Sequence, residues 1–168
     1  MTRPKHILIA STGEGALILT VAAIGWAAHM PLIFTSLGPT AYELVEKPKA
    51  ASAGLYNIIV GHFAALAAGF LSLWLLGAWN APKVAAAGFV SSPRLWAAVL
   101  AVVLTTIATL ALDASQPASL STTLLVSLGA MQTAHDAIAI VVAVFILAAV
   151  GEPVRRLRLK HAPPDQIP

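Results

Sequence analysis

The chain alternates between long stretches without a formal charge and short charged segments. Asp, Glu, Lys and Arg are absent from four stretches, which are Gly15–Tyr42, Ala50–Pro82, Leu95–Leu112 and Ala137–Gly151. A membrane-spanning helix needs about 20 mostly apolar residues. The pattern therefore predicts an all-α membrane protein whose four spanning helices lie at about 14–33, 54–78, 94–112 and 133–151.

Two uncharged segments interrupt this hydrophobicity, and they resemble each other. They are Ser36–Ala41 and Gln116–Thr123, and both are rich in hydroxyl groups, proline and small residues. Irregular backbone persists at membrane depth only where it is buried in protein or lines a polar cavity. We therefore predict two short re-entrant half-helices, over about 36–45 and 116–129, within two structurally similar halves. Paired breaks of this kind point to a transport site.

Composition agrees with a membrane protein and narrows the chemistry. The 168 residues are 58% hydrophobic and 10% charged, whereas soluble domains carry about 25% charged residues. We expect one transmembrane domain over 14–151, an N-terminal segment over 1–13 without a cleaved signal peptide, and a basic, proline-rich tail over 152–168 that is disordered from His161 onward. The absence of cysteine excludes disulfides and thiolate chemistry.

The basic residues predict the orientation in the membrane. Four spans place both termini on one side, and eight basic residues then share that side, namely Arg3, Lys5, Lys83, Arg94, Arg155, Arg156, Arg158 and Lys160. Only Lys47 and Lys49 fall on the other side. The positive-inside rule therefore predicts an inner-membrane protein with both termini in the cytoplasm. Since the charge flanks apolar segments, the net charge of +3 does not indicate a nucleic-acid partner.

Small residues recur every four positions on two of the predicted spans. The stripes are Asn57, Gly61, Ala65 and Gly69 on the second span, and Ala97, Ala101, Thr105 and Thr109 on the third. Such stripes let helices approach closely in lipid. Because four spans can hardly enclose a site and also cover every polar group, we predict a homo-oligomer in the lipid bilayer.

The two breaks carry the candidate chemistry. Pro39 and Pro117 can each occupy the first position of a half-helix, whose free N–H groups and positive dipole end favour an anion. Hydroxyl groups nearby add donors; they belong to Ser36, Thr40, Ser119, Ser121 and Thr122. The alternative is a kinked helix in which these hydroxyls bond to their own backbone.

His62 lies inside the second predicted span, and an ionisable residue in a span is a functional candidate. The alternative is a neutral histidine that bonds to a neighbouring carbonyl. His135 and Asp136 point about 100° apart on a helix, so we interpret them as an interfacial cap. The residue spacing indicates no metal site, cofactor or catalytic pair, and we expect no enzyme activity.

Three motifs together resemble the HPP family of small integral membrane proteins. They are the run Ser36–Ala41, the Asn57–Gly61–His62 element, and the run Gln116–Gly129. The resemblance extends over about 14–151 and implies four spans and a transport function, with nitrite as the substrate in some plastid and cyanobacterial members. The signature His-Pro-Pro is Gln116-Pro117-Ala118 here, and glutamine keeps hydrogen-bonding capacity but cannot take up a proton near neutral pH.

The sequence thus predicts a transporter or channel for a small inorganic anion. The expected anion-binding residues are Ser36, Gly38, Pro39, Thr40, Asn57, His62, Gln116, Pro117, Ser119, Ser121 and Thr122. The residues do not discriminate nitrite from nitrate, chloride, formate or bicarbonate. The alternative function is a non-transporting membrane module or assembly subunit, in which the breaks only shape helix packing. A polar cavity that joins the two breaks would distinguish the two functions.

Overall fold

Four long apolar helices and three short ones make up the computed structural model, which describes residues 3–161. The helices are α1 (Arg3–Ala28), α2 (Leu37–Glu46), α3 (Leu55–Leu75), α4 (Val84–Ala87), α5 (Ser92–Ala111), α6 (Ser119–Ser127) and α7 (Ala134–His161). α1, α3, α5 and α7 are long and apolar enough to cross a membrane. The predicted all-α membrane fold with four spanning helices is therefore confirmed, and a short helix follows each of the two breaks.

The long helices extend beyond the predicted bounds at the ends that carry the termini. α1 already begins at Arg3, so the polar residues before the predicted span are part of the helix. The hydroxyl of Thr12, for example, donates to the Leu8 carbonyl one turn earlier (2.7 Å). α1 ends at Ala28, where His29 adopts a positive φ of 53°. α7 continues through Pro153. Residues 162–168, most of the tail expected to be disordered, lie outside the described residues.

The sequence had predicted that Pro39 and Pro117 occupy the first positions of the two short helices, but neither proline does. α2 begins at Leu37, so Pro39 lies within its first turn, and α6 begins at Ser119, after Pro117. The reason is that a tight turn precedes each helix. The Leu37 N–H donates to Phe34 O (3.1 Å), and the Ser119 N–H donates to Gln116 O (3.0 Å).

The last turn of α2 lies at the same end of the bundle as the two termini. Arg158, near the end of α7, donates to Val45 O (2.9 Å) and pairs with Glu46 (3.5 Å). Arg155 donates to Pro48 O (2.8 Å). We call this end of the bundle the termini end.

The loop after α3, the start of α5, the last turn of α6 and the segment before α7 meet at the opposite end, which we call the far end. Arg94 holds them together. Its guanidinium donates to Ala81 O (2.9 Å), Ser127 O (3.2 Å) and the side chain of Gln132 (2.7 Å). The segment with α2, between α1 and α3, and the segment with α6, between α5 and α7, therefore each connect opposite ends of the bundle; we call them the first and second interrupted segments.

The two short helices that follow the breaks, α2 and α6, occupy opposite halves of the bundle. α1 is about 39 Å long at 1.5 Å per residue, whereas α2 is only about 15 Å long. An extended segment leads from the far end to the middle, and α2 continues to the termini end. In the second interrupted segment the order is reversed, since α6 runs from the middle to the far end. Both short helices thus begin near mid-depth.

The helices pack as two groups of three. α1, α2 and α7 contact one another, α3, α5 and α6 contact one another, and α3 packs against α7 between the groups. Phe63 and Phe145 meet edge to face at this junction, with ring centroids 6.0 Å apart. Matching α1 with α5, α2 with α6, and α3 with α7 maps one group onto the other with every direction reversed. This is the arrangement of inverted repeats.

The predicted assignment of two loops to sides of the membrane is wrong. Lys47 and Lys49 follow α2 at the termini end, while Lys83 and Arg94 lie at the far end. The sequence placed them the other way round, because it predicted re-entrant segments that return to the side they came from, whereas each of the two segments crosses to the opposite end of the bundle. The split of basic residues stays eight to two in favour of the termini end, so the charge count is equally compatible with both arrangements.

Cysteine labelling tests this connectivity, because the chain contains no cysteine of its own. We expect Lys49→Cys and Lys160→Cys to react with an impermeant maleimide from the same side of the membrane, and Lys83→Cys to react from the other. Both loop lysines are exposed. Lys83→Cys grouping with Lys160→Cys in intact and opened vesicles would contradict the connectivity.

Both small-residue stripes are used within the subunit, against the second interrupted segment. The Asn57 amide donates to Ser115 O (3.0 Å), and a Cβ added at Gly61 would lie 2.7 Å from the Cβ of Gln116. On α5, Thr105 shares a hydrogen bond with Thr123 of α6 (2.7 Å). The stripes therefore explain packing inside one subunit, and the homo-oligomer stays a prediction.

Candidate functional site

The starts of α2 and α6 touch in the middle of the bundle. The hydroxyl of Ser36, directly before α2, lies 2.7 Å from the hydroxyl of Thr122 in α6. Both side chains are fully buried. We call this pair of hydroxyls the meeting point. One hydroxyl hydrogen makes the bond between them, so the second hydrogen is available to another acceptor.

α3 adds His62 next to the meeting point. Its side chain is 2% exposed, and its Nε2 lies 3.5 Å from the hydroxyl of Thr40. Thr40 in turn donates to the Ser36 carbonyl (2.8 Å). The other ring nitrogen, Nδ1, lies 3.0 Å from the Ile58 carbonyl, one turn earlier in α3. Thr40 and Ser36 thus link His62 to the meeting point.

Gln116, which the sequence resemblance places at the position of the signature histidine, stabilises the turn that precedes α6. Its side-chain oxygen accepts from the Ala118 N–H (2.9 Å), and its amide donates to Ser52 O (3.1 Å). The hydroxyl of Ser119 donates to the Gln116 carbonyl (2.7 Å). These contacts use one donor and one acceptor of a neutral side chain and fix where α6 begins.

The first N–H groups of α6 are occupied by this turn. Those of Ser119, Leu120 and Ser121 donate to the carbonyls three residues earlier, at 3.0–3.2 Å. The donors left for a ligand at this helix start are therefore hydroxyl groups, although the sequence had suggested backbone N–H groups. The positive end of the α6 dipole still faces the meeting point.

The structure brings six of the eleven predicted site residues together in the buried interior. They are Ser36, Thr40, His62, Gln116, Ser119 and Thr122. The other five lie elsewhere: Pro39 and Pro117 are exposed, Gly38 and Ser121 are partly buried, and Asn57 bonds at the termini end.

Two polar features of the interior were missed as functional candidates by the sequence reasoning. Thr105 and Thr123 form a second buried hydroxyl pair beside α6, although Thr105 was assigned to a packing stripe. Arg94 was counted as a flanking charge, yet it is fully buried. The signal available in the sequence was a cation directly before the charge-free stretch Leu95–Leu112.

Two crevices border the cluster. The one beside His62 is lined by Phe63, Leu66, Ile140, Val141 and Val144, and it leaves no room for a water molecule. A larger groove, of about 380 Å³, opens outward in the far half and is mostly apolar. Thr35 and Ser121 belong to its lining, and they directly precede the two residues of the meeting point.

Asp136 fulfils the role of a cap that the sequence predicted. Its carboxylate accepts from the N–H groups of Gln132 (3.1 Å) and Thr133 (2.9 Å), and the Asp136 N–H donates to the Thr133 hydroxyl (3.1 Å). This reciprocal pattern is a capping box at the start of α7.

Comparison with known protein families gives a match over nearly the whole chain. The model of the family described as "HPP, transmembrane region" matches residues 1–163, which include all four spanning helices and both short helices. No curated protein and no solved structure matches the chain.

Proposed function

Because the chain belongs to the HPP transmembrane family, we propose that it moves a small inorganic anion across the membrane through the meeting point of α2 and α6. The observation that carries this proposal is the 2.7 Å contact between Ser36 and Thr122, at the starts of helices that run to opposite ends. The sequence resemblance supports nitrite as the substrate.

The charge distribution at the meeting point favours an anion. Each helix start carries the positive end of a helix dipole, and the two positive ends face each other here. The side chains that meet, Ser36, Thr40, His62 and Thr122, include no carboxylate. In a low-dielectric interior these partial charges act more strongly than in water.

The hydroxyl groups supply the specific contacts. An anion between Ser36 and Thr122 would accept a hydrogen bond from each of them, in place of the single bond that they now share. The anion must be small, because it has to fit between two hydroxyl oxygens that now lie 2.7 Å apart. The groove beside Thr35 and Ser121 gives access from the far end.

The proposal includes the orientation of the protein in the membrane. Eight of the ten basic residues lie at the termini end, so we place that end in the cytoplasm and the far end outside the inner membrane. The groove then opens toward the outer half, and the last turn of α2 faces the cytoplasm.

A packing module is the second candidate function, and two observations favour it. Neither the crevice beside His62, which leaves no room for water, nor the mostly apolar groove in the far half is a polar cavity that joins the two breaks. The hydroxyls of Ser36, Thr40, Thr105, Thr122 and Thr123 all have partners within the protein. A satisfied polar interior can specify helix arrangement without any ligand.

Anion flux in reconstituted liposomes separates the two functions. A hydrogen bond to a charged group contributes about 1.5–3 kcal/mol, so Ser36→Ala or Thr122→Val should weaken nitrite uptake by roughly ten- to a hundredfold. Thr12→Ala is the matched control, because that exposed hydroxyl bonds only within α1. Unchanged uptake in a stably folded Ser36→Ala, Thr122→Val double variant would favour the packing module.

A further inference from the structure

We infer that His62 takes up a proton when the anion binds, so that proton and anion cross the membrane as a pair. This inference rests on the proposed function, and it adds a coupling ion and a residue that binds it. It follows from the direction of the hydrogen bonds around the imidazole ring.

Both ring nitrogens of His62 face hydrogen-bond acceptors. Nδ1 lies 3.0 Å from the Ile58 carbonyl, which only accepts, so the bond requires a hydrogen on Nδ1. Nε2 faces the oxygen of Thr40, whose own hydrogen is donated to the Ser36 carbonyl (2.8 Å). Thr40 can therefore only accept from Nε2. The ring makes both hydrogen bonds only when it carries two hydrogens and a positive charge.

The distance at Nε2 is compatible with a neutral ring. The 3.5 Å between Nε2 and the Thr40 oxygen is long for a hydrogen bond, as expected when a lone pair of a neutral ring faces an oxygen lone pair. A proton added to Nε2 would complete an ordered chain, from Nε2–H to the Thr40 hydroxyl and from that hydroxyl to the Ser36 carbonyl. The chain ends at the residue that forms the meeting point.

None of the side chains that line the crevice beside His62 or bond to its ring carries a negative charge, and the carboxylate on α2, Glu43, lies one turn beyond Thr40. From α7 the ring faces Ile140, Val141 and Val144, and from its own helix Phe63 and Leu66. From α2 it faces the uncharged Thr40. An unpaired charge is costly in such an environment, so the protonated ring needs an anion beside it. The anion at the meeting point likewise gains a full counter-charge, and the two ions therefore bind together.

Glu43 offers a step between His62 and the termini end. It follows Ser36 by seven positions and Thr40 by three, so all three lie on one face of α2. One carboxylate oxygen of Glu43 is buried and has no hydrogen-bond partner. A buried, unsatisfied carboxylate in a membrane protein calls for a functional explanation. We assign it as the group that accepts the proton released from Nε2 and passes it toward the termini end.

The decisive measurement follows nitrite and protons together in liposomes that contain the full chain. An inward nitrite gradient is applied at equal internal and external pH, and a trapped pH dye and nitrite are recorded in parallel. Protein-free liposomes give the background from nitrous acid that crosses the lipid unaided. We expect one proton to enter per nitrite, at a rate that does not change when the membrane potential is varied with valinomycin.

Two outcomes separate this inference from the proposed function. Nitrite uptake without proton entry, and with a rate that follows the membrane potential, would overturn the coupling and leave anion transport standing. No protein-dependent uptake of nitrite would overturn both.

Variants of Glu43 and His62 test the roles that we assign to these two residues. Glu43→Gln should lower coupled nitrite uptake at least tenfold at neutral pH while melting at the wild-type temperature, and Glu14→Gln on α1 should leave uptake unchanged. His62→Gln, which stays neutral, should abolish proton entry. Proton entry at the wild-type ratio in a folded His62→Gln protein would refute the role of His62, and a wild-type rate in Glu43→Gln would refute that of Glu43.

Discussion

Gly61→Leu is expected to prevent stable assembly of the bundle. Even a single Cβ at this position would lie 2.7 Å from the Cβ of Gln116 and 3.3 Å from the Ala114 carbonyl. Overpacking of a well-packed interior costs about 1–3 kcal/mol and sometimes more. Leucine would also displace the Gln116 side chain from Ser52 and Ala118, so we expect a loss of about 3 kcal/mol or more, read as a lower melting temperature in detergent.

Gly15→Leu is the control for this substitution. Gly15 lies in α1, and a Cβ there would meet no atom within 4 Å. Replacing a helical glycine away from contacts stabilises the helix slightly. We therefore expect wild-type or higher melting for Gly15→Leu and an intermediate loss for Gly61→Ala. A Gly61→Leu protein that elutes and melts like the wild type would contradict the close packing of α3 on the second interrupted segment.

Arg94→Met should destabilise the protein by a similar amount. The guanidinium is fully buried and donates to carbonyls at Ala81 and Ser127 and to the Gln132 side chain. Each buried acceptor left without a donor costs about 1–3 kcal/mol, so we expect a loss of about 3 kcal/mol or more. Arg94→Lys should recover only part of it, because an ammonium group cannot reproduce the planar fork of donors.

Arg156→Met provides the comparison for Arg94. The side chain of Arg156 is 70% exposed and pairs with Glu152 on the surface of α7, and surface ion pairs contribute about 0–1 kcal/mol. Thermal unfolding and hydrogen exchange at the end of α6 should both respond to Arg94→Met and not to Arg156→Met. Equal melting temperatures for the two variants would rule out the structural role of Arg94.

The fold class was predictable from the sequence, but the sides of the loops were not. Charge-free stretches mark α3 and α5 to within a few residues, because lipid requires long apolar helices. By contrast, moving Lys47 and Lys49 to one side and Lys83 and Arg94 to the other leaves the charge split unchanged. The contacts of Arg155 and Arg158 with the end of α2, and those of Arg94 with the end of α6, reveal that the interrupted segments join opposite ends.

The candidate site was predictable in its residue types more than in its geometry. Hydroxyls next to the breaks and a histidine inside a span indicated which groups had to be buried. The sequence could not tell which face of each short helix points inward, so it included Pro39 and Pro117, which are exposed. Nor could it give the pairing of Ser36 with Thr122, since that contact joins segments 86 positions apart.

The two groups of helices do not follow the order of the chain, because α3 packs with α5 and α6 while α7 packs with α1 and α2. This arrangement has a consequence for synthesis. α1 and α2 leave the ribosome first, but the helix that completes their group, α7, is made last. The group of α3, α5 and α6 can close earlier, as soon as α6 has entered the membrane. Ser36 stays without its partner Thr122 until α6 has been made, and the first half of the chain depends on its last helix to be shielded from lipid.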